Sequence, residues 1–160
     1  LPRQKEALLF SSCVTTSRST PHAKRLAALV KEIARVIKEF KPEALAIEKI
    51  FFVTNQKTAI SVAEARGAVL AEAARAGLPV FEYTGLSAKL FLTGDGRADK
   101  KIVQKYIRRL LKRTKRHLPF SAKDRGFDDA ADGLAIAILH ASRISVGETV
   151  HGKGKVSTKI

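Results

Sequence analysis

Residues 44–48 read ALAIE, a short and almost continuous apolar run that ends on a carboxylate, Glu48. Such a run is typical of a strand buried on both faces of a sheet. A second apolar run, PVFEY at residues 79–83, follows a helical pattern over residues 55–76 that Gly77 closes as a C-cap residue would. Strand, helix and strand in this order predict a layered α/β sheet.

The pattern extends on both sides of this unit. Upstream, residues 7–15 (ALLFSSCVT) are rich in β-forming residues and predict a strand, and apolar residues at spacings of three and four predict an amphipathic helix over His22–Phe40. Downstream, the sequence predicts a helix over residues 87–92, a turn at 93–97, a helix over 99–115 and a helix over 127–142. We therefore expect one domain over residues 1–144 and a basic, disordered tail over 145–160.

The charge of the chain points to a polyanionic partner. Thirty Lys and Arg residues against fifteen Asp and Glu residues give a formal net charge of +15 and a pI near 10.3. Nothing approaches the ~18 consecutive apolar residues of a membrane-spanning helix, so nucleic acid is favoured over a membrane. Cys13 is the only cysteine, which excludes an internal disulfide and a Cys-rich zinc site. This use of cysteine fits a protein of a reducing compartment. We therefore expect a cytoplasmic protein.

Three carboxylates occupy positions where apolar packing is otherwise expected. Glu48 ends a buried strand, and ligands of open α/β sheets gather at such strand ends. Asp129 and Asp132 lie three apart on the last predicted helix and therefore share one face. Hard divalent cations such as Mg²⁺ or Mn²⁺ prefer carboxylate oxygens, and two of them can activate water and stabilise the leaving oxygen of a phosphodiester.

Simpler roles for these acids stay open at this point. Glu48 could pair with a lysine, Asp132 could be a solvated surface residue, and Asp128 or Asp129 could cap the helix N-terminus, a role that suits Asp128 best. His140 is eight residues after Asp132, about 12 Å along a helix, and we therefore exclude it from a shared metal site.

Four segments carry a specific resemblance. They are ALAIEKIFF at 44–52, AEARGAVLAEA at 63–73, PVFEYTGLSAK at 79–89 and DDAADGLAIAILHA at 128–141. In order and spacing, across roughly residues 5–143, the chain resembles the RuvC family of bacterial Holliday junction resolvases. The resemblance implies a ribonuclease-H-like mixed sheet flanked by helices. It also implies a homodimer that cuts two opposed strands of four-way junction DNA in recombination and repair, beside a branch-migration helicase complex.

The resemblance also implies roles for individual residues. Glu48, Asp129 and Asp132 match metal-binding carboxylates of the family, for two Mg²⁺ ions per site, with Mn²⁺ as an alternative. Lys89 is implied as a catalytic residue near the cleaved phosphate. Lys100 is implied to approach the DNA near the same phosphate, and Phe51 is implied to stack on an unpaired base. The cationic face of the helix predicted over 99–115 adds Lys101, Lys105 and Arg108 as expected DNA-binding side chains.

The front of the chain departs from the family pattern. The family begins with a central strand that carries an Asp-Pro-Gly turn and the first metal-binding Asp, and nothing like it precedes Leu1. We therefore expect residues 1–160 by themselves to be an inactive form of a Mg²⁺-dependent endodeoxyribonuclease. Three alternatives are open: an omitted N-terminus, a piece of a longer chain, or a non-catalytic junction-binding relative of the same fold. The first is favoured because every other matched catalytic position is kept.

Overall fold

A computed structural model describes residues 8–50, 56–113 and 127–145, with the side chains of 56–57, 111–113, 127–129 and 145 left out. The elements follow in the order α1 His22–Phe40, β1 Leu45–Glu48, α2 Gln56–Arg75, β2 Val80–Tyr83, α3 Gly85–Thr93, α4 Lys100–Arg113 and α5 Phe127–Ser145. The predicted strand–helix–strand unit and the α/β class are confirmed. The predicted tail beyond residue 145 lies outside the described residues.

β1 and β2 form a two-stranded sheet within the described part of the chain. The Leu45 N–H donates to the Pro79 carbonyl at 2.9 Å, and the Lys49 N–H donates to the Tyr83 carbonyl at 2.7 Å. Because the sequence offset is the same at both ends, the strands are parallel and their carboxyl ends lie together. Glu48 and Tyr83 therefore sit at one edge of the sheet.

The chain divides into two compact units. One unit contains α1 and α2, which pack on one another. An ion pair between His22 Nε2 and Glu64 Oε2, at 2.7 Å, joins the two helices. Lys41 caps the C-terminus of α1, and its N–H donates to the Ile37 carbonyl at 2.9 Å. No α1 residue is fully buried, so the amphipathic pattern predicts the helix correctly but not how deeply it is buried.

The second unit contains the carboxyl ends of both strands together with α3, α4 and α5, which pack pairwise. Its core is aliphatic and includes Val103, Ile107, Leu134, Ile136 and Leu139. Burial of such side chains stabilises the unit by about 25 cal/mol per Å² of apolar surface. This core holds α4 and α5 in place, and those helices carry the basic residues and Asp132.

Several sequence expectations were wrong in detail. Residues 8–17 form no regular strand, in keeping with their broken alternation and with Leu9 being 63% exposed. β1 is half-buried rather than fully buried, because within the described residues its sheet has two strands. The apolar stripe of α4 is only partly covered, since Ile102 is 43% and Tyr106 40% exposed. α5 continues to Ser145, past the predicted residue 142.

Within the described residues, none of the helices is long and apolar enough to cross a membrane.

Candidate active site

Glu48 is placed at the carboxyl edge of the sheet, against the start of α3. A Cβ added to Gly85 would lie 2.6 Å from Glu48 Oε1, so the carboxylate fills the space that a side chain at Gly85 would need. Thr84 caps α3, and its Oγ1 accepts from the Ser87 N–H at 3.0 Å. The capped start of α3 is therefore fixed directly against the Glu48 carboxylate.

Asp132 enters the same region from α5. Its Oδ2 atom is 4.0 Å from Lys100 Nζ, and the two side chains are 44% and 62% exposed. Leu134 and Leu139 of the same helix are buried in the core. α5 thus buries its apolar side and leaves Asp132 accessible to solvent, facing the first residue of α4. An ion pair between partly exposed groups contributes little to the stability of the fold. The contact between Lys100 and Asp132 matters more for the charges that it places beside Glu48.

The four predicted side chains act on one another electrostatically. Burial raises the pKa of Glu48, and the negative charge of Asp132 raises it further, whereas Lys89 and Lys100 lower it. These charges come from β1, α5, α3 and α4. The structure therefore brings together Glu48, Asp132, Lys89 and Lys100, which the sequence places far apart.

We predict that Glu48→Gln raises the melting temperature at pH 7 in EDTA. Because the folded pKa of Glu48 lies above its unfolded value, Glu48 favours folding at low pH, and this contribution is lost as the pH rises through the folded pKa. Removing the charge should then raise Tm by roughly 1–3 °C, a small effect because the side chain is partly solvated. Calorimetry at pH 7 and pH 4 measures it. A lower Tm at pH 7, or the same rise at pH 4, would contradict the assignment.

Glu48 and Asp132 suit a divalent metal ion by their chemistry. They are two mutually repelling carboxylates, and hard cations prefer carboxylate oxygens. In the part of the chain that the structure describes, no group of three His, Cys, Asp or Glu side chains is close enough to hold a metal. The described residues thus offer two carboxylates whose chemistry suits a hard cation, rather than a closed cage. The predicted third ligand, Asp129, lies outside the described side chains, as does Asp128.

Other predicted residues are distributed as follows. Lys101 and Lys105 are exposed on α4, while Arg108 is half-buried on the same helix. Phe51, the predicted stacking aromatic, lies outside the described residues. Lys101 and Lys105 therefore offer two accessible cations on one helix, beside the charges around Glu48.

One pair of residues was missed from the sequence. Tyr83 Oη and His140 Nδ1 are 2.8 Å apart, and both side chains are buried. The distance of His140 from Asp132 along α5 excludes it from a shared metal site, but this distance does not identify Tyr83 as its hydrogen-bond partner. A usable signal was present, since both polar groups lie in strongly apolar runs, where a buried polar group needs a hydrogen-bond partner.

The sequence profile of the crossover junction endodeoxyribonuclease RuvC family matches residues 3–140. The chain belongs to the RuvC family. The RuvC of Pelotomaculum thermopropionicum is 43% identical over 135 residues, which cover 84% of this chain and 77% of that protein. The RuvC of Thermotoga petrophila is 40% identical over 145 residues, 91% of this chain and 83% of that one.

Solved structures of a RuvC protein have the same fold as this chain. Thermus thermophilus RuvC superimposes with a TM-score of 0.72 at 33% identity, covering 89% of this chain and 81% of that chain. A structure of the same RuvC in complex with a Holliday junction substrate gives a TM-score of 0.70 at 31% identity, covering 89% and 82%. The ribonuclease-H-like α/β fold is confirmed. RuvC proteins are hydrolytic endonucleases that depend on divalent metal ions, so membership places this chain among metal-dependent nucleases.

Proposed function

We propose that this protein resolves four-way (Holliday) junctions by metal-dependent hydrolysis of one phosphodiester bond in each of two opposed DNA strands. The observation that supports this most strongly is the meeting of Glu48, Asp132, Lys89 and Lys100 at the carboxyl edge of the sheet. Two carboxylates beside two lysines suit a site that binds both a cation and a phosphate. The same proposal places the protein on chromosomal DNA in recombination and repair, beside a branch-migration helicase.

In this proposal Glu48, Asp132 and Asp129 hold two Mg²⁺ ions, which Mn²⁺ can replace. When bound, such ions supply a nucleophilic water and neutralise the leaving oxygen. Lys89 and Lys100 attract the scissile phosphate, because each already acts on the charge of Glu48. The start of α3 beneath Glu48 fixes where the carboxylate can lie. Accurate placement of reacting groups, rather than added binding energy, then accounts for most of the rate.

Lys101, Lys105 and Arg108 are proposed to bind the sugar-phosphate backbone on either side of the cut. α4 contains seven Lys and Arg residues and no acidic ones between Lys100 and Arg113. Phosphate contacts fix the position of a protein on DNA without reading its sequence. Phe51 is proposed to stack on an unpaired base near the branch point, because aromatic rings stack on bases of any sequence.

Cleavage of a synthetic junction tests the proposed function. A protein that carries the N-terminal strand of a RuvC relative before Leu1 is incubated with a labelled four-way junction or with linear duplex of the same sequence. Scission in Mg²⁺ is measured beside a gel shift in Ca²⁺. We expect binding and cutting of the junction and little cutting of the duplex. Junction binding without any cutting would favour the non-catalytic alternative.

We further propose a homodimer that uses α2. Exposed residues recur along one side of this helix at spacings of three and four, and all but Glu64, which pairs with His22, are small or apolar: Ile60, Glu64, Gly67, Ala71 and Ala74. Ile60 is 74% exposed, and a Cβ added to Gly67 would meet nothing within 4 Å. Small residues let two helices approach closely, and a two-fold axis would present one site to each of two equivalent strands.

We predict that Ala71→Glu shifts the protein from dimer to monomer. A carboxylate in this stripe would be desolvated at the interface without a partner, which costs several-fold to a hundredfold in association, or roughly 1–3 kcal/mol. Sedimentation at micromolar concentration measures the effect. Ala76→Glu, an exposed alanine just beyond the end of α2, is the matched control and should stay dimeric. A monomeric parent, or equal behaviour of the two variants, would exclude α2 as the interface.

A further inference from the structure

The two carboxylates of the site are held by different elements, so their separation depends on how α5 sits against the strands. Glu48 is the last residue of β1, and the next residue, Lys49, donates its N–H to the Tyr83 carbonyl at 2.7 Å. Tyr83 is the last residue of β2. Its backbone is therefore bonded directly to the residue that follows Glu48.

The side chain of Tyr83 reaches the other carboxylate-bearing element. Its hydroxyl is 2.8 Å from His140 Nδ1, and the two rings lie 5.7 Å apart at an angle of 55°. The Arg143 guanidinium, one turn further along α5, is 5.4 Å from the centre of the Tyr83 ring. Tyr83 and His140 are 4% and 8% exposed, so this contact is closed to solvent. Burial also lowers the pKa of His140, which favours the neutral ring.

The remainder of this α5 surface packs through aliphatic side chains such as Leu134, Ile136 and Leu139. Apolar packing has no directional preference, whereas a hydrogen bond has a narrow range of distance and angle. Asp132 is eight residues before His140, a little over two helical turns. A rotation or slide of α5 that moved Asp132 would therefore also break the bond to Tyr83.

We propose that Tyr83 and His140 are positioning residues whose buried hydrogen bond sets the rotation and the axial position of α5, and thereby the separation of Asp132 from Glu48. This inference rests on the proposed function, because it assigns these residues to alignment of the same metal site. Both side chains are buried, so they act in this proposal through α5 rather than by contact with metal or DNA. The Tyr83–His140 hydrogen bond joins the end of β2 to α5, which presents Asp132. The backbone of β2 is hydrogen-bonded to β1, which presents Glu48.

Tyr83→Phe tests the role because it removes the hydroxyl and keeps the ring. In the protein that carries the N-terminal strand of a RuvC relative, we expect kcat for junction cleavage to fall roughly tenfold to a hundredfold, since small misplacements of reacting groups have effects of this size. KM and junction binding in Ca²⁺ should change by less than about twofold, because phosphate contacts lie elsewhere. Titration with Mn²⁺, followed by electron paramagnetic resonance without DNA, should show weaker binding than in the parent.

A conservative variant and two controls separate positioning from general loss of stability. His140→Asn keeps a polar atom near the position of Nδ1, so it should retain more cleavage activity than His140→Leu. The double variant His140→Leu with Tyr83→Phe should cut no more slowly than His140→Leu alone, because both changes remove the same hydrogen bond. Ser142→Ala removes a buried α5 hydroxyl that donates to the Leu139 carbonyl within the helix, and Ile107→Val weakens the core. Both controls should cut normally and bind Mn²⁺ normally, whatever their Tm.

The outcomes distinguish this inference from the proposed function. A parent protein that does not cut junctions overturns the proposed function. A parent that cuts, with Tyr83→Phe matching its kcat and its Mn²⁺ affinity, overturns the positioning role alone. Loss of cleavage in Ile107→Val equal to that in Tyr83→Phe, at equal loss of Tm, would also overturn it.

Discussion

Asp132→Asn is expected to reduce the rate of junction cleavage by roughly a hundredfold to a thousandfold or more, while junction binding stays the same or becomes slightly tighter. Asp132 lies 4.0 Å from Lys100 and acts on the charge of Glu48, so it belongs to the region where cation and phosphate are proposed to meet. The amide is a poorer ligand for a hard cation, and the catalytic metal loses its placement. The amide also removes a charge that repels DNA.

Asp99→Asn is the matched control for Asp132→Asn. Asp99 is an exposed acid of the same unit, and its Oδ1 accepts from the Ile102 N–H at 2.8 Å at the start of α4. Asparagine caps a helix about as well as aspartate, so this variant loses the same charge without losing the cap. It should cut at the parental rate. Parental cleavage by Asp132→Asn would show that the carboxylate is structural, and lost binding with the fold retained would show that it organises the DNA surface.

The affinity for junction DNA is expected to fall about a thousandfold between 50 and 200 mM salt, if six or so phosphates are neutralised. The net charge of +15 and the cationic α4 predict this electrostatic dependence. Replacing Lys101 and Lys105 together by Gln should reduce the slope of log affinity against log salt by about 2, because two phosphate contacts are lost. Fluorescence anisotropy in Ca²⁺ at several salt concentrations measures both effects.

Lys31→Gln with Lys38→Gln provides the control for this salt series. Both lysines are exposed on α1, outside the proposed DNA-binding helix, and the double variant changes the net charge by the same amount. Its slope should stay at the parental value. A flat response in the parent would exclude phosphate contacts as the main source of affinity. Equal slopes for the two double variants would show that overall charge, rather than α4, determines binding.

The sequence alone was sufficient for the elements that carry the site, because strong local signals mark them. An apolar run ending on Glu48 predicted the end of β1, and the spacing of apolar residues predicted α4 and α5 to within a few residues. Hydrophobic periodicity reports which face of a helix is apolar. It does not report how much of that face is covered, and the exposure of Ile102 and Tyr106 was therefore missed.

The pairing of Tyr83 with His140 could not be predicted in the same way. The two residues are separated by 57 positions, and their contact depends on the packing of α5 onto the end of β2. Gly85 is similar, since its role depends on where the Glu48 carboxylate lies in space rather than on any local turn signal. Contacts of this kind are set by tertiary packing, which local sequence patterns do not encode.

Mapping the incisions on each strand of a four-way junction tests the central claim most directly. The protein that carries the N-terminal strand of a RuvC relative before Leu1 is mixed with a junction labelled on one strand at a time, in Mg²⁺, and the cut sites are located by denaturing electrophoresis. The account predicts cuts on two opposed strands, at the same distance from the branch point, that are lost in Asp132→Asn and kept in Asp99→Asn. Cuts on one strand only, equal cutting of linear duplex, or cuts that persist in Asp132→Asn would contradict it.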